Sequence, residues 1–97
     1  MGTVLTGRGK ERMMNLPVIN MKRTGQNILN LREQRGLSVR QLQRMMGFST
    51  PQAIYKWQHG ESLPTLDNLV ALAAIFAVPI DRILVTNVVS DQVFATF

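Results

Sequence analysis

No cysteine occurs in the 97 residues, so neither disulfides nor a thiolate metal site can supplement the core, and the reducing cytoplasm is the expected compartment. The one histidine, His59, leaves no metal constellation. It is also the only base available to Ser38, Ser49, Ser62 and Ser90, and no pair of carboxylates shares a predicted helix face, because Asp67 lies near the start of the fourth predicted helix and Asp81 beyond its end. A glycine-rich phosphate loop is missing as well. These absences argue against an enzyme, a cofactor or an evident small-molecule ligand. The longest apolar run, Ile80 to Val89, is broken by Asp81, Arg82, Thr86 and Asn87 and falls short of a bilayer span. Residues 1–20 hold Arg8, Lys10, Glu11 and Arg12 but no apolar stretch long enough for a signal peptide. The expectation is a soluble, unexported chain with no membrane partner.

Acidic residues are scarce and unevenly placed. Six Asp plus Glu face eleven Lys plus Arg. Between Met1 and Lys56 the only acids are Glu11 and Glu33, against all the basic residues except Arg82, a net charge of +8; from Trp57 onward Glu61, Asp67, Asp81 and Asp91 outweigh Arg82, a net of −3. The first half is an anion-binding candidate. Charge argues for attraction and steering, so nucleic acid, an acidic membrane surface and an acidic protein all remain open at this level.

With 45% apolar content, the chain suits one small domain. Residues 1–20, with Gly2, Gly7, Gly9 and Pro17 among scattered charges, read as a flexible N-terminal arm. A solvated extension is favoured over a functional basic arm, since Met13, Met14 and Met21 are alternative starts. A helix over about 25–35 is predicted with Thr24 as N-cap, Ile28, Leu29 and Leu31 inward, and Gly36 as its stop. The second helix is better specified. Ser38 and Gln41 have the spacing of a capping box, Leu37 and Leu42 that of a hydrophobic staple, and Gly47 closes the helix after Met46. The Met45-Met46 pair reads as adaptable core filling.

Thr50 is expected to cap a short third helix, about 51–59, with Pro51 in its first position, Ile54 and Trp57 inward and Gly60 at its end. Pro64 and Thr65 open a fourth, whose apolar face is Leu66, Leu69, Val70, Leu72, Ala73 and Phe76, and Val78-Pro79 ends it. A last turn or two docks Ile80, Ile83 and Leu84. The segment after Val85 is apolar without a clear period and is open as a strand, a frayed helix or an association segment. The fold expected is all-α: a compact five-helix domain over 21–85, with a C-terminal tail at 86–97. Helices two and three, joined by a four-residue turn, form a helix-turn-helix.

With Ile54 and Trp57 inward, the outer side of the third helix carries Gln52, Tyr55, Lys56 and His59, flanked by Thr50 and Ala53. This side lacks the Glu–Lys pairs of an ordinary solvated face. Glutamine can bond adenine bidentately, lysine can reach guanine, and threonine or alanine methyls can meet the thymine methyl, a vocabulary suited to the major groove. Ser38 to Arg40 at the start of helix two offer N–H groups to a phosphate, and Arg40, Arg44 and Lys22 or Arg23 extend a basic track. Each of these arginines alone reads more readily as a solvated residue, whereas the cluster does not. Trp57 reads as core. Tyr55 is balanced between covering the fourth helix and reaching a phosphate. His59, a lone histidine at a helix C-terminus, does not make a pH switch.

From Thr24 to Val85 the chain resembles the Cro/cI-type (XRE-like, lambda-repressor-like) helix-turn-helix domains. The matching stretches are "ILNLREQRGLSVRQLQRMMGFS", its Leu-Arg-x-x-x-Gly-Leu-Ser junction, and "IYKWQHGESLPTLDNLVALAAIFAVPIDRIL". The resemblance implies a bacterial or phage transcriptional regulator, cytoplasmic and nucleoid-associated. Its third helix would read bases through Thr50, Gln52, Ala53 and Lys56, and Ser38, Arg40, Arg44, Tyr55 and His59 are the expected phosphate contacts. Three departures from the family pattern stand out. Val39 replaces a glutamine that often contacts phosphate, Gln58 replaces an acidic residue, and the turn before helix three is one residue longer than usual. The leading expectation is a repressor that binds double-stranded DNA as a homodimer, with half-sites about 34 Å apart. The alternative is a protein-interaction module such as an antitoxin, which the apolar tail residues Val88, Val89, Val93, Phe94 and Phe97 keep open. Membrane binding ranks third, since basic and apolar residues do not segregate on one long helix.

Overall fold

The computed structural model describes residues 16–88. Four α-helices, α1 (Met21–Gln34), α2 (Val39–Met46), α3 (Gln52–Gln58) and α4 (Leu66–Phe76), are followed by a 3-10 turn at Ile80–Arg82. Two short strands, β1 (Pro17–Ile19) and β2 (Thr86–Val88), pair in a two-stranded sheet. Among the described residues, Ile19–Val85 form one compact unit. Most of the expected arm and tail lie outside the described residues.

This corrects the all-α, five-helix expectation. The last docked segment is only a 3-10 turn because Pro79 precedes it in an extended conformation and Val85 is held from outside. The Asn20 N–H donates to the Val85 carbonyl at 2.7 Å, and the Val85 N–H donates to Thr24 Oγ1 at 2.9 Å. The backbone groups of Val85 are thus committed to α1, and the chain runs on into β2.

The same contacts correct the start of α1. Thr24 is not its cap; Asn20 is, its side chain accepting from the Arg23 N–H, while Thr24 is completely buried in the helix's first turns. Lys22 and Arg23 therefore stand within α1, not before it. Asn27 completes the attachment, its side-chain amide donating to the carbonyls of Arg82 and Ile83 at 3.2 and 3.1 Å.

The core is Ile28, Leu31, Leu42, Ile54, Trp57, Leu69, Leu72, Phe76 and Ile83, drawn from every helix and the last turn. Two expected core residues of α4 are instead exposed, Leu66 at 79% and Val70 at 59%. Nearly every residue of α4 is apolar, so periodicity alone could not tell its covered side from its open one. Met45 is exposed too, and only Met46 packs against the core.

All four helices end in the same left-handed cap, with the amide after the left-handed residue reaching back across the last turn, as from Phe48 to Gln43 and from Val78 to Ala73. Glycine fills this position at 36, 47 and 60, but α4 places Ala77 there at φ 57°. Two arginines at the end of α1 brace the helix ends. Arg35 Nε donates to the Phe76 carbonyl at 2.7 Å, and Arg32 donates from Nε to Gln58 Oε1 at 2.9 Å and from Nη1 to the Leu37 carbonyl at 2.8 Å. The place where the resemblance expects an acid is thus a neutral acceptor for a guanidinium.

Candidate nucleic-acid interface

Helix α2 begins as its sequence predicts. The Gln41 N–H donates to Ser38 Oγ at 3.0 Å, and the Ser38 N–H donates to Gln41 Oε1 at 2.8 Å, a complete capping box. Ser38 is therefore engaged as a cap, with its hydroxyl proton still available to an outside acceptor. Leu42 is fully buried, which turns Arg40, Gln41 and Arg44 outward.

Five residues, Gly47 to Pro51, connect α2 to α3, one more than the four-residue turn expected from sequence. Gln43 holds this turn by donating from Nε2 to the Phe48 carbonyl at 3.2 Å, and the Phe48 ring meets Trp57 edge to face at 5.8 Å. The turn is pinned from both sides. Thr50 does not cap α3: the N-cap is Pro51, and no side chain bonds the helix start. The Thr50 hydroxyl is thus not engaged in capping.

Ile54 and Trp57 anchor α3 in the core, while Gln52, Tyr55, Lys56 and His59 are exposed. At 100° per residue these four form one ridge centred opposite the buried pair. The ridge expected from sequence is present, and two of the four expected base readers, Thr50 and Ala53, are not on it. Ala53 is partly buried and packs against the core, because it lies about 100° round the helix from Gln52. Its partial burial fits the flanking place expected of it. Tyr55 is 43% exposed, and its ring lies nearly parallel to the His59 imidazole, centroids 6.4 Å apart. His59 Nδ1 stands 3.7 Å from Glu61 Oε2.

Beside the ridge is an open cleft of about 520 Å³. Arg40, Gln43 and Arg44 of α2 form one wall, and Ser49, Thr50 and Tyr55 the other. Val39 and Pro51 supply its apolar part, so the valine that replaces the family's glutamine serves as lining. The structure thus brings Arg40, Arg44, Thr50 and Tyr55 together, with Gln52, Lys56 and His59 on the adjoining ridge. Gln43 and Ser49 were not singled out from sequence. Gln43 lies between Arg40 and Arg44 on one helical turn, and that spacing was the available signal.

The ridge is held at a fixed depth by α1. Gly25 is buried directly against the carbonyls of Trp57 and Gln58, and Gly60, at φ 74°, lies against the Lys22 backbone. Both contacts leave no room for a side chain, so α3 rests on the backbone of α1.

No helix among the described residues is long and apolar enough to cross a membrane. No curated protein sequence is significantly similar to the chain. Among solved structures, the restriction-modification controller protein C.AhdI from Aeromonas hydrophila is similar over 65% of this chain and 94% of its own, at 22% identity and a TM-score of 0.59. The DNA-binding domain of BldD is similar over 67% and 93%, at 23% identity and a TM-score of 0.58. HppE, in its apo form, is similar over 67% of this chain but only 36% of its own, at 23% identity and a TM-score of 0.61. These likenesses establish the fold. A helix-turn-helix family model matches residues 28–83, from the buried face of α1 through the last turn. The chain accordingly belongs to the Cro/cI-type (XRE) helix-turn-helix family of DNA-binding transcription regulators.

Proposed function

We propose that this chain binds duplex DNA sequence-specifically, as a homodimer, with α3 in the major groove, and represses transcription at the site it occupies. The observation that carries this reading is the ridge of Gln52, Tyr55, Lys56 and His59. It presents amide, phenol, ammonium and imidazole groups on a helix whose opposite side is locked by Ile54 and Trp57. Gln52 and Lys56, one turn apart, are the base readers, by bidentate bonding to adenine and by donation to guanine. Arg40, Arg44 and the Ser38 hydroxyl grip the flanking backbone, joined by Tyr55 on the flank of the ridge beside α2 and by His59 at its C-terminal end. One seven-residue helix reads few base pairs, so two copies on half-sites about 34 Å apart supply the required length of sequence.

The test is selection of bound duplexes from a random pool, with a Gln52→Ala, Lys56→Ala double variant beside the parent. Each single substitution is expected to cost about 1–3 kcal/mol of binding and relax one position. Both side chains are exposed, so folding stability stays within about 0.5 kcal/mol of the parent. An enriched, roughly palindromic motif that the variant loses supports the reading. Equal losses on selected and random duplexes would remove Gln52 and Lys56 as readers.

A further inference from the structure

Helix α4 is apolar on the side that faces away from the core as well as on the side that faces it. Leu69, Leu72 and Phe76 are buried, while Leu66 is 79% exposed, Val70 is 59% exposed, and Ala74 and Ala77 are exposed too. At 100° per residue these last four lie within about 80° of arc, one stripe along the helix. Asp67, at the border of the stripe, is the only charged residue of α4. A solvated helix face is normally polar, and a helix apolar all round is normally covered all round.

Two features say what covers it. The first is charge. Helices α1, α2 and α3 each carry exposed cations, Lys22 and Arg23, Arg40 and Arg44, and Lys56, whereas α4 has no basic residue. For a chain of net charge +5, α4 is the helix on which two copies meet with least repulsion, and a contact there leaves the ridge of α3 free. The second is the order of sizes along the stripe. The large side chains, Leu66 and Val70, come first, and the small ones, Ala74 and Ala77, follow. A second α4 laid antiparallel, with a two-fold axis between Val70 and Ala74, sets Val70 on the partner's Ala74 and Leu66 within about 1.5 Å along the axis of the partner's Ala77. Each large group then meets a small one, twice over. A dissimilar partner would not require this order.

We propose that the open stripe of α4 is the contact between two copies of this chain, packed antiparallel with Leu66 and Val70 of each copy on Ala77 and Ala74 of the other. The inference rests on the homodimer reading above and supplies its surface. An 11-residue helix is about 16 Å long and covers less than the about 800 Å² per partner of a standard interface. The contact is therefore weak in free solution and is made firm when two half-sites hold the copies side by side.

The experiment follows the full chain by sedimentation without DNA, from nanomolar to high micromolar concentration. The parent is expected to pass from monomer to dimer with a midpoint of roughly tens of micromolar. Val70→Asp raises that midpoint at least about tenfold, because each copy would bury a carboxylate, and its melting in dilute solution, unchanged from the parent's, establishes that it is folded. Val70→Ala also weakens the dimer, and adding Ala74→Val to it restores the dimer by exchanging the large and small partners. Ala74→Leu weakens the dimer by overpacking; on an unspecific sticky patch the added apolar surface would strengthen it. The chain has no cysteine, so register can be read from single-cysteine variants. In an oxidised mixture of Val70→Cys and Ala74→Cys, links between the two variants should outnumber links within either. A dimer that persists in Val70→Asp, or a mixture that links only like with like, would overturn the contact. So would a parent that is monomeric throughout. In that case rapid maleimide labelling of Val70→Cys would leave the stripe to a different protein, and slow labelling would mean that the chain covers it itself. Binding to a random duplex is measured separately, and Val70→Asp should keep it while losing preference for a paired over a single half-site. A parent that dimerises in the stated register yet binds no duplex removes the DNA reading and leaves the contact standing.

Discussion

Gly25 of α1 lies against the carbonyl oxygen of Trp57, so closely that even a methyl group there would overlap it. The neighbouring Gln58 carbonyl would stand only 2.9 Å from that methyl. Both obstacles are backbone and cannot rotate away. Gly25→Ala should therefore cost about 3 kcal/mol or more, at the upper end of overpacking. Denaturant unfolding checks this, and an unchanged midpoint would mean that α1 and α3 sit farther apart than described.

The Arg32 guanidinium donates to a neutral amide, Gln58 Oε1, at 2.9 Å. A carboxylate in the same place makes that bond charge-assisted. Gln58→Glu is expected to stabilise the fold by about 0.5–1 kcal/mol at low salt, with the gain shrinking as salt rises. Removing the donor is the opposite case. Arg32→Ala leaves the Leu37 carbonyl and Gln58 without their partner and should cost about 2 kcal/mol. Urea midpoints at two ionic strengths test both signs.

Thr24 is wholly buried, and its hydroxyl accepts from the Val85 N–H at 2.9 Å. Thr24→Val keeps the shape and removes the acceptor. The stranded N–H should cost about 1–3 kcal/mol, and hydrogen exchange at Val85 should quicken more than at Leu42 in the core. Uniform acceleration at both sites would show that the bond matters only through global stability.

Ala77 takes the left-handed position that glycine takes in the other three helix caps. Its Cβ meets a steric penalty there that glycine avoids, although glycine also gains freedom in the unfolded chain. Ala77→Gly is expected to raise stability by about 0.5–1 kcal/mol. A lower melting temperature would refute this.

The features legible in the sequence are those of local chemistry. Ser38 and Gln41 cap each other across three residues, and Ile54 with Trp57 defines a face within one helix, so α2 and the ridge of α3 follow from residues close together in the chain. The features hidden from sequence depend on distant partners. Thr24 has the chemistry of a cap, but Val85, 61 residues away, claims its hydroxyl. β1 and β2 are three-residue strands that exist by pairing with each other, with no alternation long enough to announce them. The cleft is half visible: Arg40 and Arg44 stand out by charge, whereas Gln43 and Ser49 gain meaning only when the turn brings them opposite Tyr55.

The bond from Asn20 to Val85 joins the places where the chain enters and leaves its main compact unit. A module whose entrance and exit are hydrogen-bonded neighbours can be spliced into a surface loop of another polypeptide without prising the host apart. It can equally be cut elsewhere and rejoined at that point by a short linker. Lys22, next to the entrance, also touches Gly60 just past the end of α3. Cargo tethered at either end therefore starts beside the C-terminal end of α3, so its bulk and charge are brought to that end of the helix.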